Sequence, residues 1–334
     1  MAAHARLDAT LVLSRRDVLA LLTLPECIDA VDRAFRLHAQ GRTLPPGVLG
    51  VHAPDGGFHI KAAGLVGQPG YFAAKTNANF PGNPGRGLPT IQGTLVLADT
   101  GTGAPLAVMD SASVTALRTG AATAVAARRL ARADSRSATI VGCGVQGEIQ
   151  LAALAAVLPL QRAWVIDTDP ARAIGLAARA ERALGLRVEP ATDLRASLQR
   201  SDVCVTCTPA RSAFVSVADV RPGTFVAAVG ADSQGKQELE PTLVASATLV
   251  VDVLQQCLEI GELQHAVAAG LMTPADVHAE LAEVVDGRRP GRTREDEITV
   301  FDSTGTALQD VAAAAVVYEK ARAVGRGLEV RFDD

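Results

Sequence analysis

The sequence predicts an α/β protein built from two regions of different texture. From residue 137 onward, short apolar runs alternate with helical segments. That alternation implies a parallel sheet with helices on both faces. Residues 44–109 instead hold apolar runs parted by glycine and proline turns, the pattern of an antiparallel sheet. A glycine-rich turn at "IVGCGVQG" follows a β run and opens a helix.

Taken in order, the elements begin with two helices. "LSRRDVLALL" offers Ser14 as N-cap with Asp17 three residues on, a capping-box pattern. "PECIDAVDRAFRLHAQG" starts on a proline suited to a first helical turn and stops at Gly41. The runs "GVLGVHA", "FHIKAAG", "YFAAKTN" and "TLVLADT" follow as strands. "SVTALRTGAATAVAARRLA" is a long helix, rich in small residues at its start. Next come "ATIVGCG" and the helix "VQGEIQLAALAAVL", then "RAWVID" and the helix "DPARAIGLAARAERALG". "SDVCVTCT", "TFVAAVGAD", "ATLVVDV" and "EITVFDSTG" supply further strands, and "ALQDVAAAAVVYEKARAVG" closes the chain as a helix. There is no internal repeat.

The bulk numbers exclude several classes. A chain of 334 residues makes one large domain or two ordinary ones. With 48% apolar and 20% charged residues, the composition is that of a soluble globular protein. Net charge is −4 and no basic block occurs, so nucleic acid is not an expected partner. No apolar run reaches the roughly 18 residues of a membrane span. "MAAHARLDATLVLSRRD" lacks a hydrophobic signal core, which points to the cytoplasm. Five cysteines at irregular spacing do not make a disulfide scaffold. Cys204 and Cys207 have C-x-x-C spacing, but on a strand side chains three apart point to opposite faces and share neither metal nor disulfide. No metal-ligand cluster and no G-x-S-x-G elbow is present.

The glycine turn carries G-x-G-x-x-G at Gly142, Gly144 and Gly147. Gly142 permits the tight turn, Gly144 lets the backbone approach a pyrophosphate, and Gly147 allows close helix–strand packing. The helix start, Val145 and Gln146, then faces the negative charge. Asp167, at the end of "AWVID", is placed to accept from a ribose 2′-hydroxyl and to repel a 2′-phosphate. This favours a Rossmann domain holding NAD over NADP, with NADP left open.

Positive charge poses a second question. Arginine supplies nearly all of it, and the chain has only four lysines, yet Lys61 and Lys75 sit among small apolar residues in "FHIKAAGLVGQPGYFAAKTNANFPGN". A buried ammonium there would supply a point charge to grip a small carboxylate.

Five blocks in order resemble the ornithine cyclodeaminase and μ-crystallin family, particularly its archaeal-type alanine dehydrogenases and imine reductases. They are "AAKTNANFPGNPGRGLPT", "GAPLAVMDSASVTALRTGAA", "IVGCGVQG", "AVGADSQGKQEL" and "ITVFDSTGTALQDVAAA". The resemblance implies a Rossmann NAD(P) domain over 119–305. It also implies an α+β, open-barrel-like domain for substrate and dimerisation over 1–118 and 306–334. The active site would lie in a cleft, and the molecule would be a homodimer. It further implies that Lys75 and Arg118 hold the substrate α-carboxylate and that Asp232 transfers the proton. Phe301, Asp302 and Ser303 would lie near the nicotinamide end, and Thr119, Thr206, Val229 and Gly230 would join the cofactor site.

Two departures bear on the substrate. Ornithine cyclodeaminases proper carry a basic residue after "LPP", and a glutamate that receives the distal amine. Gly47 and, approximately, His59 stand there, with Lys61 beside them. His59 and Lys61 are two apart on a strand and so share a face. A cationic distal group would be repelled by Lys61, and a second carboxylate or neutral ring accepted. The expected reaction is therefore NAD(P)-dependent hydride transfer at the α-carbon of a small amino or imino acid. Pyrroline-2-carboxylate, or the imine of pyruvate and ammonia, fits. Ornithine cyclisation to proline with retained NAD, and a crystallin-like binder without turnover, are the alternatives.

Overall fold

The computed structural model describes residues 9–332. Residues 1–8, part of the stretch read above for a leader, lie outside the described residues. The chain divides into two compact units, 1–118 with 306–334, and 119–305.

The first unit starts with strand β1, Thr10–Leu13. Helix α1, Arg15–Leu21, follows with the capping box of Ser14 and Asp17 in place. Helix α2, Leu24–Ala39, is capped by a second box, Thr23 with Glu26, and carries its proline in the first turn. It buries Cys27, Ile28, Val31, Ala34 and Phe35, one apolar stripe at helical spacing. The sheet strands are β2 (Thr43–Ala53), β3 (Gly56–Leu65), β4 (Tyr71–Asn79), β5 (Ile91–Asp99) and β6 (Pro105–Asp110). They pair antiparallel in sequence order, as their turn chemistry predicts. β2 is an edge strand and contains Pro45 and Pro46. Its register with β3 shifts between Leu44 and Gly47, which is how an edge strand accommodates residues that cannot donate. At Gly93 of β5 a Cβ would lie 2.1 Å from the Thr76 carbonyl oxygen, so only glycine fits there. Helix α3, Ser111–Leu130, follows directly on β6 and contains the unit boundary.

The second unit opens with β7 (Ser137–Val141), α4 (Val145–Ala155), β8 (Arg162–Ile166), α5 (Pro170–Leu184), β9 (Arg187–Pro190), α6 (Leu194–Leu198) and β10 (Val203–Thr206). After these come β11 (Arg211–Val215), β12 (Phe225–Ala228), β13 (Gln237–Leu239), α7 (Pro241–Ser246) and β14 (Thr248–Val251). The unit ends with α8 (Leu254–Ile260), α9 (Leu263–Ala268), β15 (Ala279–Glu280), α10 (Leu281–Asp286) and β16 (Thr299–Asp302). Eight strands form one parallel sheet in the order β15-β14-β16-β12-β10-β7-β8-β9. Its central strands β10, β12 and β16 are buried throughout, the signature of a sheet covered on both faces. Cys204 lies inside β10, packed in an apolar cluster with Val226, Leu249 and Val300. Cys207 lies past the strand end, and its thiol sits 3.3 Å from the Gly142 carbonyl oxygen. Both cysteines are free.

The chain then returns to the first unit as helix α11, Ala307–Val324, and strand β17, Leu328–Val330. β1 pairs parallel with β6 and antiparallel with β17, completing an open seven-stranded sheet. α11 is alanine-rich and buried along most of its length, so it can lie close against β3, β4 and α2. Lys320 pairs with Glu26 of α2 at 2.8 Å, and the Tyr71 hydroxyl donates to Glu319. Among the described residues, no helix is long and apolar enough to cross a membrane.

Candidate active site

In the first unit, the alternation of β4 turns Lys75 to the buried face, where its side chain is 3% exposed. Lys61 of β3 is its direct cross-strand partner and is also buried. His59 is two residues nearer the strand end, across from Asn77, and only half-buried. Lys75 Nζ donates to Asp310 Oδ1 of α11 at 2.9 Å, with Oδ2 2.8 Å away, and to Thr115 Oγ1 at 3.2 Å. Arg118 Nε donates to Asp310 Oδ1 at 2.9 Å, and Nη1 donates to Gln309 Oε1 at 2.7 Å. Nη2 is thus the guanidinium nitrogen engaged by neither residue. Asn77 is held by Ser111 and Thr115, which fixes the second polar position of β4.

This cluster is cationic. Burial pushes the Lys75 ammonium down to about 7; Asp310 pulls it back up, while Arg118 and Lys61 add to the fall. Burial alone would raise the Asp310 carboxyl, but Lys75 and Arg118 outweigh it and hold it below its usual range. Counting Lys61, Lys75, Arg118 and Asp310, the net charge stays positive even with Lys75 neutral. Such a site favours a small organic anion.

In the second unit, Gly142 has φ 104°, a conformation glycine adopts without strain. Its N–H donates to the Ile166 carbonyl, tying the turn to β8. A Cβ on Gly147 would lie 2.0 Å from the Gly142 carbonyl oxygen, whereas one on Gly144 would meet nothing within 4 Å. Gly144 caps α4 without a side-chain bond, and Val145 beyond it is exposed. Gln146 follows in the first turn and accepts from Gln150. The open glycine face and uncapped helix start fit a dinucleotide pyrophosphate. Asp167 is fixed beside the turn, accepting from the Cys143 N–H at 2.7 Å and the Asp169 N–H at 2.9 Å.

Most of the expected cofactor residues share one end of the parallel sheet. Gly142, Asp167, Thr206, Val229, Gly230 and Ser303 all lie at or just past the carboxyl ends of β7, β8, β10, β12 and β16. Ligands of open α/β sheets bind at that end. Thr119 lies instead on α3, buried. Asp232 follows β12; its side chain is half exposed and pairs with Lys236 at 2.6 Å. Asp302 turns into the core, where it accepts from the Leu263 N–H, and burial pushes its carboxyl up to about 7.

Sequence reasoning missed two acids. Asp310 sits in the quoted block "TALQDVAAA", where a charge inside an apolar run is itself a sign of a buried partner. Glu238 holds the Gly230 N–H at 2.8 Å and both the N–H and hydroxyl of Thr208, bracing the loop that leads to Asp232.

Known proteins share this fold and much of this sequence. The sequence model of the ornithine cyclodeaminase/mu-crystallin family matches residues 8–325. The chain is 40% identical to the alanine dehydrogenase of Archaeoglobus fulgidus, over 97% of this chain and 98% of that one. It superposes on an archaeal alanine dehydrogenase dimer with bound NAD with a TM-score of 0.92 and 39% identity, covering 97% of this chain and 99% of that one. The Δ1-pyrroline-2-carboxylate reductase of Thermococcus litoralis, in complex with NADH and L-proline, gives 0.92 and 35% identity over 96% and 100% of the two chains. The protein belongs to the ornithine cyclodeaminase/mu-crystallin family.

Proposed function

We propose that the protein is an NAD-dependent oxidoreductase working at the α-carbon of a small amino or imino acid. The observation that carries this reading is the buried set Lys75, Arg118 and Asp310, a cluster of net positive charge suited to pairing with a carboxylate. Lys75 supplies a point charge, and Arg118 the planar donor that a carboxylate prefers. Asp310 orients both and Gln309 holds Arg118 as well, so the reacting carbon is presented in one pose. Gly142, Gly144, Gly147, Val145 and Gln146 would hold the pyrophosphate, and Asp167 the ribose. Thr119, Thr206, Val229, Gly230 and Ser303 would line the remaining dinucleotide site. The nicotinamide, when bound, supplies or takes up hydride. Asp232 moves the proton that balances reduction of C=N to CH–NH. Lys61 and His59 set what may not follow the α-carbon: a distal cation is disfavoured.

The relatives that share the fold include an alanine dehydrogenase and a Δ1-pyrroline-2-carboxylate reductase, which supports imine reduction in this chain. A homodimer is the proposed working form. It is supported by the dimeric relative and by Val48, Leu49 and Val51, large apolar residues exposed along edge strand β2. The cytoplasm, where NAD and amino acids are pooled, is its proposed location.

The test is NADH oxidation with cyclic imines and with 2-oxo acids plus ammonia. Turnover of one class supports the proposal. Ammonia release from ornithine without net NADH change would establish cyclisation instead, and NADH binding without any turnover would establish a binder.

A further inference from the structure

The parallel sheet has a second charged feature at its opposite end. Arg136 precedes β7, Arg162 and Arg187 open β8 and β9, and Arg200 precedes β10. These four exposed arginines line a cavity of about 460 Å³ floored in part by the buried Trp164. It lies at the amino ends of the strands, about 15 Å of strand length from the glycine turn.

The pairing is unfavourable as it stands. Arg162 and Arg187 are direct Cα partners on adjacent strands, where like charges destabilise a sheet. Arg162 is stacked over Trp164, 5.7 Å from the ring centroid, which holds its guanidinium at the cavity wall. Arg187 pairs with Glu189. Among the described residues, Arg136, Arg162 and Arg200 take part in no ion pair. The nearby Asp202 does not neutralise them. It is already held by Arg132, Arg221 and the backbone N–H groups of residues 136 and 137.

We propose that this cavity is a binding site for a polyphosphate anion, separate from the dinucleotide site. Guanidinium forks match phosphate oxygens two at a time, and several forks around one cavity suit an anion with several phosphoryl groups. Binding would relieve the Arg162–Arg187 repulsion. The anion could be free or the tail of a nucleotide, and the experiment separates the two sources.

Trp164 is the only tryptophan in the chain and lines this cavity, so its emission is a probe of the site. The full chain, saturated with NAD to fill the other site, is titrated with pyrophosphate, tripolyphosphate and ATP. Sodium chloride at matched ionic strength is the control. A saturable change with the polyphosphates, absent with chloride, is the expected result. Equal binding of tripolyphosphate and ATP marks a free-anion site, and tighter ATP binding marks a nucleotide site. Arg162→Gln/Arg187→Gln should weaken binding about tenfold or more for each guanidinium lost. Without anion, that variant should melt at or above the wild-type temperature. A change no different from chloride, or full binding by the double variant, overturns the proposal.

Discussion

Lys75 Nζ stands 2.8 Å from Asp310 Oδ2, with both side chains buried, and Oδ1 of the same carboxylate accepts from both Lys75 Nζ and Arg118 Nε at 2.9 Å. One acid from α11 therefore pairs with two cations, one from β4 and one from α3. Replacing it by an isosteric amide keeps the shape and removes the charge. Asp310→Asn should cost about 3–5 kcal/mol, because it leaves buried cations uncompensated. At roughly 2–4 °C per kcal/mol for a large domain, the unfolding midpoint should fall by on the order of 10 °C. Calorimetry of the variant checks this, and an unchanged midpoint would show that the pair contributes nothing net.

Titration of Lys75 should be visible in binding. Its folded value of about 7 lies below the ordinary 10.5. Its contribution to stability is therefore complete above 10.5 and lost as pH falls through about 7. Carboxylate binding runs the other way, because the cation disappears as pH rises through about 7. Affinity of the NAD-loaded protein for a 2-oxo acid should weaken up to about tenfold per pH unit above that point. Lys75→Met should flatten the profile, and Asp310→Asn should move the break to lower pH. A profile in the wild type that is flat from pH 6 to 9 would refute the assignment.

Much of this site was legible in the sequence, and the rest was hidden for physical reasons. The glycine turn announces itself because its chemistry is local: a positive φ, a close helix contact and a nearby acid. Lys75 stood out as a rare lysine among small residues. Asp310 did not, because an acid in the first turn of α11 also suits the helix dipole, and only tertiary approach shows that it is buried. Glu238 in "GKQELE" reads as a solvated charge until β13 carries it beneath Gly230. The direction of Lys61 could not be settled from strand periodicity alone, since that fixes only that it shares a face with His59. Pairing with Lys75 supplies the missing reference.

The two glycines of the turn should separate stability from nucleotide binding. Gly144 has an extended backbone and open space where a Cβ would go. Gly144→Ala should leave stability within about 0.5 kcal/mol, as for other open positions, yet crowd the pyrophosphate. Gly147→Ala drives a Cβ into the Gly142 carbonyl and should lose both stability and binding. Thermal unfolding and NADH fluorescence titration read the two effects independently. Wild-type NADH affinity in Gly144→Ala would remove the turn from the cofactor site.

Lys61 and Lys75 face each other across adjacent strands, and burial keeps the two like charges close. Each raises the electrostatic cost of the other, which an anionic ligand offsets. A substrate with a second carboxylate would gain most from Lys61, and a diamino acid would lose most. Lys61→Met keeps the stem's apolar volume and removes the charge. It should lower kcat/KM for a dicarboxylic imine about tenfold, the worth of one charge-assisted hydrogen bond. A monocarboxylic cyclic imine should change little by comparison. The same substitution should move the Lys75 break to higher pH, because Lys61 contributes to its depression. The two readouts come from one charge, so they must move together. A shifted pH break with unchanged substrate preference would place Lys61 near Lys75 but out of reach of the substrate's distal group.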